Sequence, residues 1–128
     1  MIAMADPQTE FYTVDRLKHL LRIYPVLGFS TPPDDPEVRR RVRRVIGDAS
    51  WTEASARAAD LERAVRWLND RDWRAAYAVR ASYIAGLPLR DIQGYFSRSG
   101  VLVSHETVNR WRKDGLALMS AYLSGRLA

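Results

Sequence analysis

Between Leu87 and Trp111 the chain carries two short apolar repeats and two abrupt stops, and this segment restricts the possible folds more than any other. Leu89, Ile92 and Phe96 recur at the three- and four-residue spacing of one helix face, with Tyr95 beside them. Pro88 suits a first helical position, where an N–H is not needed, so a helix is predicted to begin there. Gly94 is expected to let a neighbouring helix approach closely, and Gly100 to supply the left-handed turn that ends the helix. Val101 and Val103 alternate around Leu102 as an extended linker with its valines inward, and Ser104 caps a second helix. From that helix Val108 and Trp111 point inward. His105, Glu106, Thr107, Asn109, Arg110, Arg112 and Lys113 remain for the outside. Two helices joined through a glycine-closed turn have the layout of a helix-turn-helix.

The rest of the chain adds helices and almost no strand signal, because alternating β-branched runs are missing. The expected fold class is therefore all-α: a small helical domain with a C-terminal helix-turn-helix. A first helix starts after Thr13, carries Leu17, Leu20, Leu21 and Tyr24, and is expected to end before Pro25. A loop from Gly28 to Pro33 follows. Asp35 caps the next helix, with Pro36 at its first position and Gly47 as its stop. Val38, Val42, Val45 and Ile46 form its apolar stripe, while Arg39, Arg40, Arg41, Arg43 and Arg44 cover the remaining surface. That basic surface reads either as a solvated face or as a second contact for phosphates or an acidic partner.

A longer helix is predicted from Trp51 to Leu68, with Ala54, Ala58, Leu61, Val65 and Leu68 in register and Trp67 beside them. Asn69 to Asp72 reads as a turn. A helix from about Trp73 to Ala85 is expected to bury Ala76, Tyr77, the stem of Arg80, and Tyr83 or Ile84, and to end at Gly86. Asp114-Gly115 is expected to interrupt or bend the last helix. Beyond it Leu116, Met119, Tyr122 and Leu123 form a tail that folds back over the domain or offers a dimerisation surface. The organisation read from these signals is an N-terminal helical region, residues 1–70, with the arginine-rich helix. Residues 71–128 follow as a helix-turn-helix DNA-binding region with a C-terminal helix.

Composition narrows the function class. A chain of 128 residues with 47% hydrophobic content suits one compact domain with a genuine core. No apolar run approaches the ~18 residues of a membrane span, and Met1 to Pro7 lack the basic and apolar regions of a secretory leader. With no cysteine there is neither a disulfide framework nor a thiolate metal site, and a cytoplasmic location is expected. No cofactor is expected. His19 and His105 are too few for a metal site, and no phosphate-cradling glycine loop or catalytic triad pattern is present. Asp70 and Asp72 are an acidic pair, but helix capping accounts for them, so the chain is not read as an enzyme. The net charge of +5 and pI near 10.0 fit a polyanionic partner. Eighteen of the twenty basic residues are arginine, a bias that a GC-rich genome also produces, so position carries more information than number.

In a DNA-reading helix over residues 104–113, asparagine can read adenine, arginine guanine, and glutamate can accept from cytosine. Asn109 and Arg110 are the leading candidates for base contact, with His105 and Glu106 beside them. Arg112 and Lys113 lie toward the end where phosphate contact is expected, Ser104 and Thr107 can donate to phosphates, and Arg90 on the preceding helix is counted with them. Leu89-Arg-Asp-Ile, Ser99-Gly-Val, Val103-Ser-His-Glu-Thr-Val and Arg110-Trp111 resemble the N-terminal helix-turn-helix of insertion-sequence transposases. More loosely, the region is similar to the sigma-region-four-like domains of phage Q-type antiterminators and late-gene activators. The resemblance covers about a fifth of the chain and implies DNA recognition. After Asp114 too few residues follow for a transposase catalytic domain, so its chemistry is not carried over.

The expectation is a sequence-specific, double-stranded-DNA-binding transcription regulator of phage or mobile-element type, activator- or antiterminator-like. RNA polymerase is a further candidate partner, a homodimer a candidate assembly, and no membrane is involved. Two other readings stay open. One is a DNA-packaging protein like a terminase small subunit. The other is a protein-interaction adaptor whose helix-turn-helix is structural.

Overall fold

The computed structural model describes residues 11–29 and 31–127, and among these the chain is all-α. Residues 1–10, which include the Met1 to Pro7 stretch read above as lacking leader features, Ser30 of the first loop and Ala128 lie outside the described residues. Helix α1 spans Val14–Leu27 and is capped by Thr13, whose hydroxyl accepts from Arg16 N at 3.2 Å. Helix α2, Pro36–Ile46, opens on Asp35 with proline first and closes on Gly47 at φ 74°. Helix α3, Trp51–Arg71, is capped by Ser50. Helix α4, Trp73–Val79, runs directly into a π-helical turn, Arg80–Ile84. Helix α5 is Leu89–Arg98 and helix α6 is His105–Leu123. Short polar side chains at the caps satisfy N–H groups that a helix start otherwise leaves open.

Several boundaries differ from the expectations, each for a non-local reason. Helix α1 does not stop before Pro25. Proline deletes only the bond that Leu21 C=O would have received, and it does so in the final turn. There the helix gains the burial of Leu27, which is wholly inaccessible. The predicted turn at Asn69 to Asp72 shrinks to one residue: α3 continues through Arg71, and Asp72, at φ −156° and ψ 93°, both breaks it and caps α4. After Val79 the chain holds one extra residue per turn, with Ala85 N donating to Arg80 C=O at 2.9 Å. That wider turn points Ala81 and Tyr83 into different cores. Arg80, taken as a whole residue, is exposed.

The main core gathers Leu17, Leu20 and Leu21 from α1, Leu61 and Leu68 from α3, Val79 from α4, and Leu116 and Met119 from α6. Residues on both sides of position 70 line it. Each fully buried leucine contributes on the order of 1.5–3 kcal/mol. Asp114-Gly115 does not interrupt α6, which is one helix of 19 residues. A Cβ at Gly115 would lie 2.7 Å from Val79 Cγ2 and 3.3 Å from the Ala75 carbonyl oxygen. The glycine is therefore the crossing point of α4 and α6, where bare backbone meets alanine. The tail, expected to fold back over the domain or to dimerise, packs on the domain as the inner half of this helix. Leu116, Met119 and Leu123 are spent in the chain's own core.

One polar network is buried with the apolar residues. The Tyr12 hydroxyl donates to the Asp60 carboxylate, Arg57 donates to the same hydroxyl at 3.2 Å, and the Ser120 hydroxyl donates to the Tyr12 carbonyl. The network ties the start of α1 to α3 and to the end of α6. Burial, and then the hydrogen bond to Asp60, push the Tyr12 phenol up to about 12, against the opposing pull of Arg57.

Gly115→Ala is expected to destabilise the protein. The clash with Val79 costs roughly 1–3 kcal/mol and outweighs a helix-propensity gain of about 1 kcal/mol. Urea titration should show the loss, with Val79→Ala restoring part of it in the double variant. A second expectation concerns alkaline pH. Below pH 10 the Tyr12 phenol is protonated in folded and unfolded chains alike. Between about 10 and about 12 only the unfolded chain ionises, so stability falls as pH rises through that window. The urea midpoint followed against pH should decline there, and less steeply in Tyr12→Phe.

Candidate nucleic-acid interface

Helices α5 and α6 are seated on a small second core of Ala81, Ile92, Phe96 and Val108. Phe96 is its hub: the Trp111 ring meets it edge-on at 5.1 Å, Tyr77 at 5.5 Å and Tyr95 at 5.6 Å. Tyr77 and Tyr95 also stack on each other at 4.0 Å. Such edge-to-face and offset contacts add about 0.5–1.5 kcal/mol each beyond area burial. The mutual orientation of the two helices is thus fixed by aromatic geometry as well as by aliphatic filling.

The connection between them follows the local signals closely. Gly100 takes φ 85°, and Val101 N reaches back to Phe96 C=O at 2.8 Å, which closes the end of α5. Val101 and Val103 turn toward the small core, while Leu102 between them is 91% exposed. Gln93 Nε2 donates to Val103 C=O at 2.8 Å and pins this extended piece to α5. The Ser104 hydroxyl accepts from Thr107 N at 3.1 Å and starts α6. Gly94 plays a different part from the one expected. A Cβ there would meet the guanidinium of Arg98 at 3.2 Å, a flexible side chain of the same helix and not a neighbouring helix.

Of the candidate contact residues, His105, Glu106, Arg110 and Lys113 are exposed on α6. Glu106, Arg110 and Lys113, spaced by four and three residues, form one stripe along it. Arg110 and Lys113 have no hydrogen bond or ion pair among the described residues. Thr107 is half-buried and its hydroxyl lies 3.1 Å from that of Ser104, so both serve the cap. Arg90 is exposed beside Asp91, 3.9 Å away.

Arg112 and Asn109 are placed otherwise than the sequence suggests. Arg112 is half-buried, donates through Nη1 to the Ser82 hydroxyl at 3.0 Å, and lies 5.5 Å from the Tyr83 ring centre. Its Nη2 donates to the Asn109 carboxamide oxygen at 2.5 Å, while its buried Nε has no partner. Arg112 therefore braces α6 against the π-helical turn and orients Asn109, whose amide nitrogen is left for an outside acceptor.

The same side of the molecule holds a cation that sequence reasoning missed. Arg74 lies over Trp73 at 5.6 Å and over Trp111 at 5.8 Å, flanking α6. No local pattern announces it, because its aromatic partner belongs to another helix. The arginine-rich helix α2 forms a separate basic surface that leans chiefly on α1. Its five arginines are exposed. Arg40 pairs with Glu37 at 2.6 Å and Arg43 with Asp48 at 3.5 Å, while Arg39 donates to the Pro33 carbonyl. Arg41 and Arg44 have no ion pair among the described residues.

Comparison of the chain with models of protein families, with curated proteins and with solved structures returns no match. Among the described residues no helix is long and apolar enough to cross a membrane.

The brace is open to measurement. Arg112→Ala and Ser82→Ala should each lower stability by about 1.5–3 kcal/mol, because both remove the same hydrogen bond to a charged group. In a double-variant cycle by urea denaturation the two effects should fall short of additivity by at least about 0.5 kcal/mol. Strict additivity would mean that Ser82 and Arg112 act independently.

Proposed function

We propose that the chain is a sequence-specific double-stranded-DNA-binding transcription regulator that inserts the outer half of α6 into the major groove. The observation that carries this reading is the unpartnered stripe of Glu106, Arg110 and Lys113 on a helix whose other face is locked to Phe96 by Val108 and Trp111. A helix held rigidly on one side and polar on the other matches the width of the major groove. Arg110 is the base-reading candidate for guanine. Asn109 is an adenine reader whose oxygen is supplied with a donor by Arg112. That leaves its amide to donate to an acceptor such as adenine N7, a single bond in place of the bidentate pair. Lys113 and Arg74 are the candidates for phosphate contact, with Arg90, exposed on α5, a further one.

The overall charge of +5 supports attraction to a polyanion. The phage or mobile-element setting, and contact with RNA polymerase, rest on the resemblance of residues 89–111. Assembly as a homodimer would have to use a surface other than the buried face of α6.

Binding to a selected DNA site should weaken steeply with salt, log K falling by about 0.9 per neutralised phosphate. Arg110→Ala should reduce discrimination at one base pair by roughly 1–3 kcal/mol. Lys113→Ala should weaken all sequences alike and lower the salt slope by about one. Unchanged DNA affinity in both variants would remove the reading. Absence of DNA binding at physiological salt, with capture of an acidic protein by α2, would favour the adaptor.

A further inference from the structure

Between α1, α3 and the π-helical turn lies an open crevice of about 600 Å³ that neither core fills. Leu21, Leu61, Val65 and Ile84 form its apolar floor, and Asn69 and Arg80 stand at its rim. Volumes of this order, with an apolar lining and a few polar groups, are those of small-molecule sites. The charge at the rim is unbalanced. Arg66 is neutralised by Glu62 at 2.9 Å, whereas Arg80 is exposed and its guanidinium has no hydrogen bond or ion pair among the described residues. A guanidinium without a counter-ion above an apolar floor is complementary to a carboxylate carried on an apolar body.

The wall that carries Arg80 also faces the DNA-reading half of the molecule. Arg80, Ala81 and Ile84 of the π-helical turn line the crevice. From the same turn Ser82 accepts the hydrogen bond from Arg112, and Ala81 belongs to the core that seats α5 and α6. Turns of this kind are rare and are found frequently at functional sites. The buried, partnerless Nε of Arg112 marks the brace as incompletely satisfied, so a small displacement of the turn meets no saturated network.

We infer that this crevice is an effector site for a small amphipathic carboxylate, bound by Arg80 over the apolar floor and acting on α6 through the Ser82–Arg112 brace. The regulatory meaning rests on the DNA-binding reading above; the binding and its effect on the brace do not. An occupant wedged between α3 and the π-helical turn bears on Arg80, Ala81 and Ile84 of that turn, and Ser82 between them holds the recognition helix in place. Ligand binding then changes the setting of Asn109 without touching it, and a differential affinity for the two settings is all that regulation requires.

The test uses the full chain, isotope-labelled and free of DNA, with indole-3-acetate as probe and indole-3-acetamide as its uncharged counterpart. The acid should saturate shifts of the Leu61, Val65 and Ile84 methyl resonances, and should move the Asn109 side-chain amide and Arg112 Nε–H signals along with them. The amide should bind more weakly. Arg80→Gln, at an exposed position, should weaken the acid about tenfold or more while leaving the amide nearly unchanged. Absence of saturable binding, equal binding of acid and amide, or methyl shifts without any movement at Asn109 and Arg112 would each overturn the inference. Because no DNA is present, failure of the DNA-binding reading would leave this outcome intact. A separate titration of DNA affinity with the acid then reports the coupling.

Discussion

Gly115 lets the backbone of α6 lie against Ala75 and Val79, and most of the architecture follows from that contact. Because the crossing is close, one uninterrupted helix can serve two cores. Its inner half closes the main core through Leu116, Met119 and Leu123, and its outer half rests on Phe96 through Val108 and Trp111. The exposed stripe is therefore a continuation of a helix whose other half is buried in the main core, and not a separately hinged arm. Stiffness at Arg110 and Lys113 comes from packing one to three turns further along the same rod. Preorganised presentation of this kind lowers the entropy lost on binding.

Legibility in the sequence tracks the distance over which each decision is made. Asp35 and Ser104 as caps, Gly100 as a left-handed stop, and the alternation of Val101, Leu102 and Val103 were all readable, since each is settled within a turn or two. The exposure of Glu106, Arg110 and Lys113 was readable for the same reason, once Val108 and Trp111 fixed the inward face. Features set by distant partners were not. Arg112 looks like any exposed arginine until Ser82 is brought to it. Gly115 looks like a helix breaker until α4 arrives. Pro25 looks like an end until Leu27 is seen to be buried. Gly94 erred in the opposite sense, where an expected close contact between helices proved to be room for Arg98.

The basic residues divide into groups with different physical duties, which their number alone conceals. Arg57 and Arg112 are part-buried and hold elements together through hydrogen bonds. Arg40, Arg43, Arg63 and Arg66 are balanced by acids on their own surface, pairs that contribute little stability because water screens them. Arg80 and Arg110, with Lys113, have no such acid. An arginine-rich composition thus resolves into residues bound into the structure and residues whose charge is available to an outside anion; Arg41 and Arg44 put some of the latter on α2, while Arg80 and Arg110 lie on elements joined by the Ser82–Arg112 brace.

That turn also sets an angle. An α-helix advances about 100° per residue, so the additional residue held between Val79 and Ala85 fixes the rotational phase of everything after it relative to α4. Loss of a single residue from Arg80–Ile84 would restore ordinary helical winding and swing the path into α5 by that increment, while the inner half of α6 stayed bound at Gly115. The two cores would then call for incompatible directions of the chain. Besides what Arg80 and Ser82 do through their side chains, these five residues therefore act as the indexing piece of the fold, in which chain length is itself a quantity under constraint.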